Sequence, residues 1–191
     1  MDTTSEPQED PRKRIKITKG TIERYDIRLG YDWAVFIIGE DGNFLVNSSY
    51  GDYAYWWGNH GMESFKHFLI SMARDTGYLI NKLAKGDDRD VFLHQETVQE
   101  IKKDIIEHRR QDFIDKESAR EMYDYVKGYL EDLNDSTLFI QALYESGEFS
   151  ALYSDYDSIP IRTDFSNQLK IFIKEFYPIL IEQLKLEIME K

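Results

Sequence analysis

The sequence predicts an α+β fold: an N-terminal antiparallel sheet of four or five strands, then about six helices, with one face of the sheet covered by helices. Three observations carry this. As far as Trp57 the apolar residues follow strand patterns, alternating in places and forming one short continuous run, and after Gly61 they recur with a period near 3.6. Glycine and Asp-Gly turn signals punctuate the first third at short intervals, as in a meander. Capping residues stand ahead of apolar stripes in the remainder. With 191 residues, 41% hydrophobic and 14% aromatic, the chain is long and apolar enough for one globular domain, or one with a helical extension.

In chain order, residues 1–11 are polar with two prolines and read as a disordered tail. Ile15 and Ile17 alternate with Lys16 and Thr18, a strand pattern that Gly20 ends. Ile22–Leu29 reads as the next strand. Trp33–Ile38 is a continuous apolar run, suited to a strand covered on both faces. Glu40-Asp41-Gly42-Asn43 is a hairpin signal, because Asp-Gly supplies positive φ without a Cβ clash. Phe44–Ser49 returns, and Tyr53–Trp57 follows after Gly51-Asp52.

After Gly61 the spacing of Phe65, Phe68, Leu69 and Met72 gives an amphipathic helix over 63–73. Asp75 caps a second short helix carrying Tyr78, Leu79 and Leu83, ended by Gly86. Residues 12–86 thus form the sheet with two helices. Residues 87–191 form a helical part expected to pack on the same core. Asp87–Asp90 is a linker. A helix over 94–113 carries Val98, Ile101 and Ile105, with either Ile106 or Arg109 completing the face. Asp115 or Lys116 starts the next, whose stripe runs from Ala119 to Leu133. Asp135 or Ser136 caps one that stops near Gly147. Phe149–Ile161 is irregular. Thr163 or Asp164 caps a final long helix with Phe165, Leu169, Phe172, Ile173, Phe176, Leu180, Leu184 and Ile188 in register. Pro178 inside it removes a backbone donor and should kink it near Lys174. That stripe serves equally as a core or as a homodimer seam.

The chemistry is spare. There is no cysteine, hence no disulfide, thiolate metal site or thiol nucleophile. Neither a nucleophile elbow nor a phosphate-binding glycine loop occurs. The N-terminus lacks a basic and then apolar leader, so no signal peptide is expected. No run of about 18 apolar residues suggests a membrane span. No catalytic residue, cofactor or metal is assigned. His60 and His67 flank a loop-to-helix junction and could converge with Asp52 or Glu63. Glu100 and Asp104 lie one turn apart near His94, a spacing equally common on solvated helices.

Charge is more informative. The net charge is −12, and from Asp112 to Asp164 there are 13 acidic against 4 basic residues, a difference of −9. Such a surface repels nucleic acid and anionic lipid and attracts basic partners. Within it, Tyr144, Glu145, Glu148, Tyr153, Asp155, Tyr156 and Asp157 form an acidic, aromatic cluster that could dock on arginine or lysine side chains. It lacks the oxygen ligand spacing of a calcium loop.

The densest stretch is Tyr50–Gly61. On a strand, Tyr53, Tyr55 and Trp57 share one side, and Ala54 and Trp56 the other. Two uses are open: a core strand whose hydroxyls reach the rim, or a recognition surface, since Tyr and Trp are enriched at binding hot spots. A base-stacking platform fits poorly, because the surroundings are not basic. In the second use, Tyr53, Tyr55, Trp57, Asn59, His60 and His67 would wall a small-ligand or nucleotide pocket.

Gly42–Trp57, followed by Phe65-Lys66-x-Phe68-Leu69 and by Gly77-Tyr78-Leu79-Ile80-x-Lys82-Leu83, resembles a widespread group of small tailed-phage and prophage accessory proteins. These carry a Ser-x-aromatic-Gly-x-aromatic-x-aromatic-x-Trp strand and a downstream Phe-Lys-x-Phe-Leu helix. The resemblance covers roughly residues 13–85 and implies a protein made in the cytoplasm of a bacterial host. It brings no catalytic residues. With the charge pattern it suggests an interaction protein that binds and blocks a host protein, such as a nucleic-acid-binding defence component with a basic surface. The alternative is a ligand or nucleotide sponge built on the aromatic strand.

Overall fold

The computed structural model describes residues 17–190. They fall into two compact units, one built from residues up to Leu79 and from Glu175 onward, the other from Ile80–Lys174. The fold class is α+β, as the change of period predicts.

The first unit holds a four-stranded antiparallel meander in sequential order: β1 (Ile22–Leu29), β2 (Asp32–Gly39), β3 (Asn43–Ser48) and β4 (Gly51–Trp56). Register places Phe36 opposite Tyr25 and Val46, and Val46 opposite Tyr53. This row and its neighbours Ala34, Ile38 and Phe44 form the buried face. The opposite face is open among the described residues, with Trp33, Val35 and Ile37 only half-buried and Trp56 exposed. The apolar run in β2 therefore does not mean burial on both sides. Lys13–Lys16 of the expected first strand lie outside the described residues, and Ile17 and Thr18 take no strand.

The predicted hairpin forms between β2 and β3. Gly42 takes φ +89°, donates to the Gly39 carbonyl at 3.0 Å and accepts from the Trp57 amide at 2.9 Å. A Cβ there would stand 2.1 Å from the Trp57 carbonyl oxygen, so both conformation and space demand glycine.

Two helices cover the buried face. Helix α1 (Phe65–Met72) is capped by Ser64, whose hydroxyl accepts from the His67 amide, and it buries Phe65, Leu69 and Met72. Helix α7 (Tyr177–Met189) packs on α1 and β1 and buries Tyr177, Leu180, Ile181 and Leu184. Tyr177 is 1% exposed and donates to the Leu69 carbonyl at 2.6 Å, which satisfies its hydroxyl inside the core. Helix α2 (Thr76–Leu83) begins at the expected cap, with the Tyr78 amide donating to Asp75.

The second unit is helical. It contains α3 (His94–Arg110), α4 (Lys116–Gly128), α5 (Ser136–Glu145) and α6 (Asn167–Glu175). Asp115 and Asp135 cap α4 and α5 as expected. Val98, Ile101, Ile105, Met122, Val126, Phe139, Leu143, Phe149 and Tyr153 belong to one buried cluster. Each fully buried Leu, Ile or Phe contributes roughly 1.5–3 kcal/mol.

Three expectations need correction. Helix α4 stops at Gly128, and Leu130–Asp132 continues as a short 3-10 turn, because glycine is a poor helix residue. Thr163 and Asp164 do not cap a helix: they form β6, paired with β5 (Val91–Phe92), and the Ser166 hydroxyl accepts from the Leu169 amide instead. The expected single C-terminal helix is two helices divided at Phe176, with Pro178 in the first turn of α7, where its missing N–H is harmless. Its stripe from Leu169 to Leu184 is buried within the chain.

Candidate functional site

The aromatic stretch divides: Tyr53 and Trp57 are core, Tyr50 and Tyr55 are half-buried, and Trp56 is exposed. Tyr53 is 3% exposed and donates to the Tyr50 carbonyl at 2.6 Å. Trp57 is 6% exposed, donates to the Tyr78 hydroxyl at 3.1 Å, and touches the rings of Phe44, Tyr55, Phe65 and Phe68. Tyr55 is half-buried and Asn59 exposed. The period-two alignment of Tyr53, Tyr55 and Trp57 holds, and it points them at the core.

The two histidines do come together. His60, Glu63 and His67 line a cleft of about 760 Å³ beside Glu23, Glu40 and Lys66. The loop carries the His60 ring onto Phe65 and Phe68, with centroids at 5.6 and 5.8 Å. Ser64 at the helix start fixes His67, whose Nδ1 lies 2.8 Å from the Ser64 hydroxyl. Tyr53, Tyr55, Trp57 and Asn59 do not line this cleft, and Asp52 is held by Asn47 instead. No metal-ligating cluster of three occurs among the described residues.

Lys66 lines the cleft with its side chain largely covered. It pairs with Glu23 at 2.5 Å and Glu187 at 2.7 Å, and the Tyr25 hydroxyl lies 2.6 and 2.9 Å from the same two carboxylates, close enough to donate its one proton to either. Burial works against the charge on Glu23 and Glu187, but the hydrogen bonds outweigh it and hold both carboxyls below the ordinary glutamate value. The Tyr25 hydroxyl is pushed well up, chiefly by burial and then by Glu23. The cation is thus neutralised, leaving two imidazoles and further carboxylates as the groups a ligand would meet. Sequence reasoning missed this network, because its members lie 43 and 121 residues apart.

The acidic cluster has a different character. Tyr144 stands in the last turn of α5. Gly147, at φ +70°, turns the chain, and a 3-10 turn over Glu148–Ala151 drives Phe149 inward. Tyr153 follows it into the core at 7% exposure and donates to Asp104 at 2.9 Å. Burial first, then the Asp104 charge, pushes its hydroxyl far up. Asp155 caps the next short turn, accepting from the Ser158 amide, and that turn presents Tyr156. The Tyr144 and Tyr156 rings stack at 4.2 Å and 19° while each remains about half exposed, at 49% and 51%. Glu145, Glu148 and Asp157 are exposed beside them in sequence. Tyr153 is therefore structural, Asp155 caps its turn from an exposed position, and the other five residues face solvent. The suspected cation pair is also committed: Asp104 to Tyr153, and Glu100 to Lys103 and Arg162.

A family model described as a phage family matches residues 15–185, which extends the likeness beyond the aromatic strand and across both units. No curated protein and no solved structure matches the chain. No helix among the described residues is long and apolar enough to cross a membrane.

Proposed function

The chain belongs to a phage family, and on that premise we propose that it acts by binding a protein with a basic surface, as an inhibitor of a host component. The observation that carries this is the exposed Tyr144–Tyr156 stack set among carboxylates. Stacked tyrosines offer rigid apolar area at low entropic cost, and a ring pair of this kind adds roughly 0.5–1.5 kcal/mol of local order. Surrounding carboxylates steer a cationic partner and set its register. A basic nucleic-acid-binding groove on a host defence protein is the chemistry such a surface complements.

Affinity capture from a bacterial lysate, with nuclease, tests this. The expected result is one stoichiometric protein partner, lost when Glu148 and Asp157 are both changed to lysine. Asp155 is unsuitable for that test, because its side chain caps the turn. Retention of the partner by the charge-reversed protein would contradict the reading.

A second reading rests on the cleft lined by His60 and His67. Its carboxylates favour a cationic or neutral ligand over a nucleotide. A ligand present at about 100 times its Kd would add about 2.7 kcal/mol of stability, a shift that a thermal screen reads directly.

A further inference from the structure

We propose that a second surface, the groove between α3 and α4, docks an acidic amphipathic helix of another protein. The groove is a shallow, open trough of about 490 Å³. Its floor is apolar: Ile105 and Ile106 on one side, Ala119 and Tyr123 on the other. The core stripe of α3 is complete with Val98, Ile101 and Ile105, so Ile106 is left 43% exposed toward the groove. The small Ala119 lets a third helix approach closely.

Charge identifies the occupant. Arg109, Arg110, Lys116 and Arg120 line the groove against one acid, Asp124. That is a local balance of 4 − 1 = +3 in a chain of net −12. Arg109 pairs with Asp112 at 2.9 Å and Arg120 with Asp124 at 3.8 Å, both at exposed sites where such pairs are weak. Arg110 and Lys116 have no ion-pair partner among the described residues. Cations on both rims of an apolar trough between two helices match a helix with a leucine stripe flanked by glutamate or aspartate. Arginine adds bidentate recognition of those carboxylates. This surface is independent of the tyrosine stack, and its sign is opposite. A protein carrying both could bridge a basic partner and an acidic one.

The test uses the full chain and an array of synthetic helical peptides of about 18 residues, five turns of helix, sharing one leucine stripe and differing only in flank charge. Binding is read by fluorescence anisotropy at low and moderate salt. Acidic-flanked peptides should bind at least tenfold tighter than lysine-flanked ones. Ile106→Glu should abolish that binding, and Arg110→Ala with Lys116→Ala should weaken it about tenfold and flatten its salt dependence. Circular dichroism checks that each variant stays folded, and the alanine pair, being on the surface, keeps the test valid if Ile106→Glu does not fold. Equal binding of both peptide classes, no binding by either, or indifference to both variants would overturn the proposal. So would sedimentation showing a dimer that Ile106→Glu dissociates, since the groove would then belong to a second copy.

Discussion

The sheet unit and the helical unit both hold pairs of large aromatic rings, yet they use them in opposite ways. Around Trp57 the rings of Phe44, Tyr55, Phe65 and Phe68 interlock within the unit, with Trp57 at 6% exposure. Around Tyr144 and Tyr156 the rings meet chiefly each other and stay half in water. The first arrangement is a core solution to covering a pleated face. The second pins a loop to the end of a helix while leaving about half of each ring in water. Aromatic density along a sequence therefore does not separate the rings a fold buries from those it leaves in water.

Trp57→Ala should have the largest effect on this contrast. Truncating a buried aromatic costs about 3–5 kcal/mol, so thermal and urea denaturation should show the sheet unit close to unfolding. A loss below about 1 kcal/mol, the scale of a surface substitution, would place Trp57 outside the core. Tyr153→Phe comes next and sharpens the boundary inside the acidic loop. It removes a hydrogen bond to the Asp104 carboxylate, worth about 1.5–3 kcal/mol to a charged group, and should lower stability without altering the surface. If it weakened capture of the partner while stability held, Tyr153 would be a contact residue.

Lys66→Met should have a smaller effect, with a distinctive pH dependence. Glu23 and Glu187 both have carboxyls held below their ordinary value. A carboxylate of that kind contributes stability above its unfolded pKa and loses it as pH falls through the folded one. Without Lys66 the two carboxylates would repel each other. The variant should lose about 1 kcal/mol at pH 7, discounted for the exposure of Glu23. The gap from wild type should then close as pH drops below the usual glutamate range, when both carboxyls are protonated. A gap that persists or widens in acid would show that Lys66 acts through packing of its alkyl stem.

Much of this was legible from local signals. Asp-Gly at 41–42 placed the hairpin, because only positive φ closes it. Aspartate chemistry placed the cap at Asp75 and narrowed two others to Asp115 or Lys116 and to Asp135 or Ser136, of which the structure uses the aspartates. The period-two pattern put Tyr53 and Trp57 on one face but could not say whether that face was core or surface, since alternation is the same in either case. The Lys66 network was illegible, because its partners come from β1 and α7, far away along the chain. The β5–β6 pairing was hidden in two-residue strands with no period to detect. In the acidic cluster, Tyr144 and Tyr156 were separable from Tyr153 only by burial. The Ile106 and Arg109 ambiguity in α3 was resolved the same way, since both fall outside the core.

The most direct test of the central claim is the affinity of the captured partner for wild type and for Tyr144→Ala/Tyr156→Ala, by calorimetry, with melting temperatures measured in parallel. The expected Kd is at least about 30-fold weaker, near the 2 kcal/mol that marks a hot spot, with a melting shift of no more than about 6 °C from the lost ring pair. Unchanged affinity, or a loss that merely tracks unfolding, would contradict the claim.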